Sequence, residues 1–195
     1  MIFGLRRIML RIIGGIARGV PIKAPDTKDT RPTLDRTKES VFNIMMPYLA
    51  DTAVLDLFAG SGSLGIEALS RGAKNAVFVD KSRKCRDIIL YNLDKTKFSR
   101  QAEVLAMGVE NAVRYLAGRH DKFDIIFMDP PYNMNFVNKT IQIISDFDIM
   151  SEEGILACEH HENETPPDKV GNLVRTRIKH YGETVFSFYV KESQA

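Results

Sequence analysis

Four consecutive residues, Asp129-Pro130-Pro131-Tyr132, close the apolar run FDIIFM and carry the types and spacing for chemistry. The run predicts a buried strand, so Asp129 stands at its carboxyl end, the sheet edge at which α/β proteins bind ligands. Each proline lacks an N–H and has a fixed φ, so the loop is stiff and presents the Asp129 carboxylate and nearby carbonyls as acceptors facing one way. Acceptors of that kind suit an exocyclic amine on a purine, and Tyr132 offers a face on which a flipped-out base can stack. Holding an amine's hydrogens aims its lone pair. Positioning of this type lowers barriers by on the order of 7–11 kcal/mol in well-oriented systems. By itself the tetrapeptide would be a Pro-Pro turn with a surface tyrosine, so its place in the fold decides its meaning.

A second candidate lies upstream. Gly60-Ser61-Gly62-Ser63-Leu64-Gly65 matches G-x-G-x-x-G, and Asp80 follows Gly60 by twenty residues at the end of the next predicted strand. That is the spacing of a dinucleotide site, with the acid on ribose hydroxyls. Asp56, four residues before Gly60, helps to choose the cofactor. A carboxylate there repels a pyrophosphate and attracts a cationic sulfonium with an α-amino group. The pattern D-L-F-A-G-S-G therefore leans toward S-adenosylmethionine. Asp56 can also be a buried acid satisfied by N–H groups of the turn, and the two roles are compatible. A nicotinamide oxidoreductase stays open, although it leaves Asp56 and the Asp-Pro-Pro-Tyr loop unexplained.

Positioning both loops takes repeated strand–helix units. Residues 9–24 (MLRIIGGIARGVPIKA) predict a β-hairpin turning at Gly14-Gly15, and a Pro/Thr/Asp-rich connector runs to Thr33. LDRTKESVFNIMM predicts a helix with Leu34, Val41, Ile44 and Met45 near one face, closed by Pro47. Strands follow at residues 53–58, 76–79, 104–107, 123–128 and 155–159. Helices are expected from the glycine turn to Leu69, over 83–93 and over 110–116. Residues 173–179 and 184–191 alternate around Tyr181-Gly182 as an antiparallel pair. Apolar strands alternating with helices mean a doubly wound α/β fold, mostly parallel and covered on both faces. The expected division is a basic hairpin and connector over 1–33 and a cofactor-binding domain over 34–195.

Composition agrees with a globular chain: 195 residues, 44% hydrophobic and 27% charged, with no run long enough for a membrane span. Residues 1–40 hold nine Lys/Arg against four acids, a net +5, leaving −3 on residues 41–195. A basic arm on an acidic body points to a polyanion at one end, although solvated surface charge gives the same counts. An acid-free, Arg-rich start also suits an organellar presequence; Gly14-Gly15 between apolar flanks argues for a folded hairpin. Cys85 and Cys158 stand alone, with no paired spacing for a metal and too few for a disulfide framework, which implies a reduced, cytoplasmic setting. No metal site is expected: His160 and His161 are adjacent, as in a loop, and Glu159 is strand-end polarity. Nothing places a cysteine nucleophile in the base pocket.

The stretches DLFAGSGSLGIEALSRGA and FMDPPY with Asp80 resemble the class I S-adenosylmethionine-dependent amino-methyltransferases. RIIGGIARGVPIKAP with TRPTLDRTKESVFNI narrows the resemblance to the RsmD-type bacterial methyltransferases, from about residue 9 onward, with Met9 as the usual initiator. The resemblance implies a seven-stranded Rossmann-like sheet and transfer of methyl to the N2 amine of a guanine in 16S ribosomal RNA. The substrate would be that RNA or a small-subunit assembly particle, and the protein a monomer by default. It further implies that Asp129, Pro130, Pro131 and Tyr132 hold the target base. Asp56, Phe58, Gly60, Ser61 and Gly62 would line the methionine end of the cofactor and Asp80 the ribose, with Lys81, Met107 and Gly108 alongside. Thr33 and Arg36 would close the pocket, and Arg11, Arg18 and Arg31 would grip RNA phosphates. Relatives carry an acid after the third strand where this chain has Met107-Gly108, which leaves the adenine contact open. N6-adenine methylation of DNA or RNA is the alternative on the same fold, and a binding-only module a further one.

Overall fold

The computed structural model describes residues 10–25, 33–131 and 136–192. Within them, helix α1 (Thr33–Met45) is followed by strand β1 (Ala53–Leu57), α2 (Ser63–Ser70), β2 (Asn75–Val79), α3 (Arg83–Thr96), β3 (Ala102–Leu105), α4 (Val109–Gly118), β4 (Phe123–Met128), α5 (Phe136–Asp146), β5 (Met150–His161), β6 (Lys169–Val170), β7 (Leu173–Tyr181) and β8 (Thr184–Lys191). The sheet order is β3-β2-β1-β4-β5-β8-β7-β6, parallel from β3 to β5 and antiparallel through β8, β7 and β6. It has eight strands where seven are expected, the extra one being the two-residue β6 at the edge. Chain order reverses between β1 and β4, which opens a crevice above their carboxyl ends.

Both faces are covered, so the central strands are apolar on both sides. In β4 the residues alternate: Ile125 and Phe127 join Ile12, Phe42, Met45 and Ile66 in one core, while Ile126 and Met128 join Leu55, Val113, Leu116 and Ile141 in the other. The Phe42 and Phe127 rings lie 5.4 Å apart, centre to centre, and burying such a ring stabilises the fold by about 1.5–3 kcal/mol. α3 starts at Ser82, whose Oγ accepts the Cys85 N–H, a standard N-cap.

Three sequence expectations need correction. α5 was not foreseen, although Val137, Ile141 and Ile144 bury one face of it. His160 and His161 end β5 instead of forming a loop, with His160 Nε2 2.9 Å from Ser187 Oγ. The hairpin expected over residues 9–24 is not two regular strands among the described residues. In the described part, residues 10–25, one antiparallel bridge, Arg11 with Pro21, holds a wide reversal. The arms still exchange backbone hydrogen bonds, Ile12 N–H to Val20, Gly19 N–H to Ile12 and Ile22 N–H to Leu10, but the amides of the turn are taken elsewhere: Ile13 and Gly14 donate to the Glu67 carboxylate at 2.8 and 2.7 Å, and Ile16 and Ala17 donate to the Ser70 carbonyl and hydroxyl. The segment is thereby latched to α2, and Ile12, Ala17 and Ile22 are buried in the same core as β1 and α2.

Candidate active site

The glycine turn works as a backbone device. Gly60 and Gly62 have φ of 55° and 76°, the left-handed region that glycine enters without a Cβ penalty. A Cβ at Gly65 would lie 2.3 Å from the Phe78 ring, so this glycine lets α2 pack directly on β2. Phe58 is also left-handed, at φ 61°, a conformation that costs a bulky residue on the order of 1–3 kcal/mol and is common where a site is held in shape. Asp80 clamps the turn: one carboxylate oxygen accepts the Gly60 N–H at 2.9 Å and the other the Ser82 N–H at 2.8 Å. Each oxygen keeps a lone pair for a further donor.

Asp56 lies beneath this turn, 2% exposed, and accepts the Gly65 N–H at 2.8 Å. Burial pushes its carboxyl up to about 8, helped by the nearby Asp129 and Asp80 carboxyls and opposed by the Gly65 N–H and Lys38. It is therefore largely protonated at neutral pH, a buried acid satisfied by an N–H of the turn. The folded state holds a proton that the unfolded chain releases near 4, so this group's contribution to stability falls as pH rises from about 4 to 8. Asp56→Asn keeps an acceptor for Gly65 without the titration. Melting curves against pH should flatten for the variant, most visibly between about pH 6 and 8; a slope equal to wild type would refute the burial account.

A cavity of about 650 Å³ opens beside the turn. Phe58, Asp80, Lys81 and Gly108 line it, as does Pro131. Gly60, Ser61 and Gly62 build the turn that Asp80 clamps and are not among its walls; neither are Asp56, Met107 and Arg36, the last exposed on α1. Thr33 opens α1, with its side chain outside the described part, and Tyr132 and Arg31 also lie outside it. Sequence reasoning missed the opposite wall. Val109, Glu110 and Asn111 at the start of α4 and Phe136, Lys139, Thr140 and Ile143 of α5 close the cavity, and Cys85 joins from α3. The 3–4 spacing of α5 was the signal available for it. Phe58 and Phe136 rings stand 5.8 Å apart, and Lys139 pairs with Glu110 at 3.2 Å, bridging the two helices. Burial pushes the Cys85 and Cys158 thiols up, so both stay thiols. Among the described residues no cluster of His, Cys, Asp and Glu could hold a metal ion.

The loop after β4 separates this cavity from a second one. Pro131 lines the first; Asp129 lines a smaller recess of about 60 Å³ with Thr37 and Lys38 of α1, Ser63 and Leu64 of α2, and Glu159, Leu10 and Phe186. Asp129 opens toward solvent, yet the packed strand ends around it strip enough water to push its carboxyl up to about 6. Arg11 and Arg18 are exposed on the latched N-terminal segment, and Ile16 between them stands 88% exposed. No helix among the described residues is long and apolar enough to cross a membrane.

Comparison with known proteins gives a consistent set of matches. The family model described as "Conserved hypothetical protein 95" matches residues 10–190. A Bacillus subtilis (strain 168) protein, YlbH, is 39% identical over 182 residues, which are 93% of this chain and 99% of its own length. "Ribosomal RNA small subunit methyltransferase D" of Escherichia coli (strain K12) is 34% identical over 185 residues, 95% of this chain and 91% of that protein. The solved structure of yhhF from Escherichia coli superposes with a TM-score of 0.80 at 33% identity, over 95% of this chain and 99% of the other.

Proposed function

The chain belongs to this RsmD-type family of methyltransferases, and from that premise we propose that it transfers a methyl group from S-adenosylmethionine to the N2 amine of a guanine in small-subunit ribosomal RNA. The observation that carries this is the Asp129–Pro131 loop standing between two cavities, one of cofactor size and one beside an acceptor carboxylate. A volume of about 650 Å³ falls in the range of cofactor sites, roughly 300–1,000 Å³. The residues present fit this cofactor. Asp80 has lone pairs left for ribose hydroxyls, and Phe58, Phe136, Val109 and Ile143 offer apolar walls for an adenine ring. Gly108 stands where relatives carry an acid, so backbone groups at the start of α4 and the Asn111 amide would meet the adenine amine.

When bound, the cofactor supplies an electrophilic methyl group on a sulfonium. The chain's own part is orientation. Asp129 accepts one amine hydrogen, which draws the nitrogen lone pair out of conjugation with the purine ring and turns it toward the first cavity. The two prolines fix that direction. As the N–C bond forms the nitrogen becomes cationic, and the Asp129 carboxylate stabilises it until its proton leaves to solvent. No covalent intermediate with the protein is needed, in keeping with thiols that stay protonated.

The test is methyl transfer from labelled S-adenosylmethionine to ribosomal particles from a strain lacking this protein, followed by nucleoside analysis. N2-methylguanosine at one position is the expected product. N6-methyladenosine would move the target within the same mechanism, and no transfer would overturn the reading. Exposed Arg11 and Arg18 give a second test. Replacing both with Ala should weaken RNA binding and flatten the plot of log affinity against log salt by about one to two units, since each phosphate contact releases counterions. An unchanged slope would return them to ordinary surface charge.

A further inference from the structure

We propose that Glu159 is the residue that selects guanine, accepting the N1–H of the target base beside the amine held by Asp129. This rests on the guanine-N2 reading above and assigns the specificity of that site. β4 and β5 are parallel with Met128 opposite Cys158, so the next residues stand side by side: Asp129 just past the end of β4, and Glu159 still within β5, opposite Phe186 of β8. They lie on the same face, because Phe127 and Ala157 two residues earlier both belong to the core under α1 and α2. Both carboxylates reach the 60 Å³ recess, which has room for the edge of a base and is walled by Phe186. Glu159 is buried there, 8% exposed, and a carboxylate has two oxygens, with room for more than one donor. Lys38, also lining the recess, adds a donor-only group held by Glu67 at 3.1 Å and by the Arg11 carbonyl at 3.2 Å.

Two acceptors side by side match one purine edge. In guanine the carbon bearing the amine is flanked by N1–H, a donor, so amine and N1 together present donors to Asp129 and Glu159. In adenine the carbon bearing the amine is flanked by a bare N1, an acceptor. With the adenine amine on Asp129, its N1 lone pair would face the Glu159 carboxylate, a repulsive and unpaired contact. Cytosine fails in the same way at N3. The Asp-Pro-Pro-Tyr loop holds an amine without regard to the base that carries it, and Glu159 supplies the choice.

The experiment uses small-subunit particles reconstituted with RNA that carries either guanine or 2-aminopurine at the position the wild-type enzyme methylates. 2-Aminopurine keeps the N2 amine and replaces N1–H with a bare nitrogen. Wild type should favour guanine in kcat/KM by about 100-fold or more, since a site built to bond a donor rejects the analogue that lacks it. Glu159→Gln can turn its amide either way, and should bring the ratio to within about tenfold while lowering turnover on guanine. The wild-type arm alone is enough to overturn the assignment, whether or not the variant folds, and a guanine preference is assigned to Glu159 by the variant's ratio. Equal use of both bases by wild type, or a Glu159→Gln enzyme that slows on both with the ratio unchanged, overturns the assignment and leaves Glu159 a structural acid. A wild-type enzyme that forms no N2-methylguanosine refutes the underlying reading instead, and the assignment falls with it.

Discussion

Asp129→Ala should lower methyl transfer by about 10²–10³-fold, the size seen when one preorganised group facing developing charge is removed, with affinity for S-adenosylmethionine unchanged within a few fold. The two halves of this expectation come from the geometry. The side chain borders the small recess, while the large cavity meets the same loop two residues later, at Pro131. Removing a carboxylate from one side therefore leaves the other wall intact. Stability should hold as well: a carboxyl pushed up to about 6 destabilises the folded state when ionised, so its loss does not unmake the loop. The same shift sets the pH dependence. Only the ionised form accepts without also donating, so the wild-type rate should rise through about pH 6 and level above it. Asp129→Asn keeps an acceptor oxygen, should recover part of the rate, and should lose the rise near 6. Turnover by single-turnover kinetics and cofactor affinity by calorimetry decide the matter. Near-normal turnover in the Ala variant would remove Asp129 from the mechanism.

How much of this was legible depends on the range of the interactions. β4 was read residue for residue, because a fully buried strand is a continuous apolar run bounded by polar residues, and Asp129 came with it. Asp80 and the glycines were legible from spacing within one strand–turn–helix–strand unit. β5 was read as residues 155–159 because Ser151-Glu152-Glu153-Gly154 carries turn signals. The structure keeps those residues in a longer strand, Met150–His161, and absorbs them as an irregularity: Phe123 is opposite Met150, yet Ile125 is already opposite Ile155. The far wall of the cofactor cavity was missed with α5, whose polar lead-in after Asp129 conceals a three-residue apolar stripe. The hairpin misled for a different reason. Its apolar alternation is real, and Ile12 and Ile22 are buried. The partners of its turn amides, Ile13, Gly14 and Ala17, lie more than fifty residues away on α2, beyond any local pattern. The juxtaposition of Asp129 and Glu159 is a register fact, and register between strands thirty residues apart is not written in either strand.

Those distant partners converge on Glu67, where the second large effect is expected. Its side chain is fully buried, pairs with Lys38 at 3.1 Å and Arg71 at 2.8 Å, and accepts the Ile13 and Gly14 amides. Both cations are themselves nearly buried. Glu67→Gln keeps the shape but leaves two buried cations short of a counter-charge and turns an NH2 toward backbone donors. Breaking a buried pair in this way costs about 3–5 kcal/mol, which for a chain of this size lowers the melting temperature by roughly 6–20 °C. Glu110→Gln is the internal control. Glu110 also pairs with two cations, Arg114 and Lys139, but on the surface, where solvent screens the pair and the melting temperature should barely move. Hydrogen exchange should localise the damage: in the Glu67 variant the amides of Ile13, Gly14, Ile16 and Ala17 lose protection ahead of β1 and β4. Lys38 reaches the recess beside Asp129, so whatever remains folded should also methylate more slowly at saturating cofactor. A Glu67→Gln protein that melts within a degree or two of Glu110→Gln would show that the N-terminal segment is held by its apolar contacts, with the ion triad incidental to it.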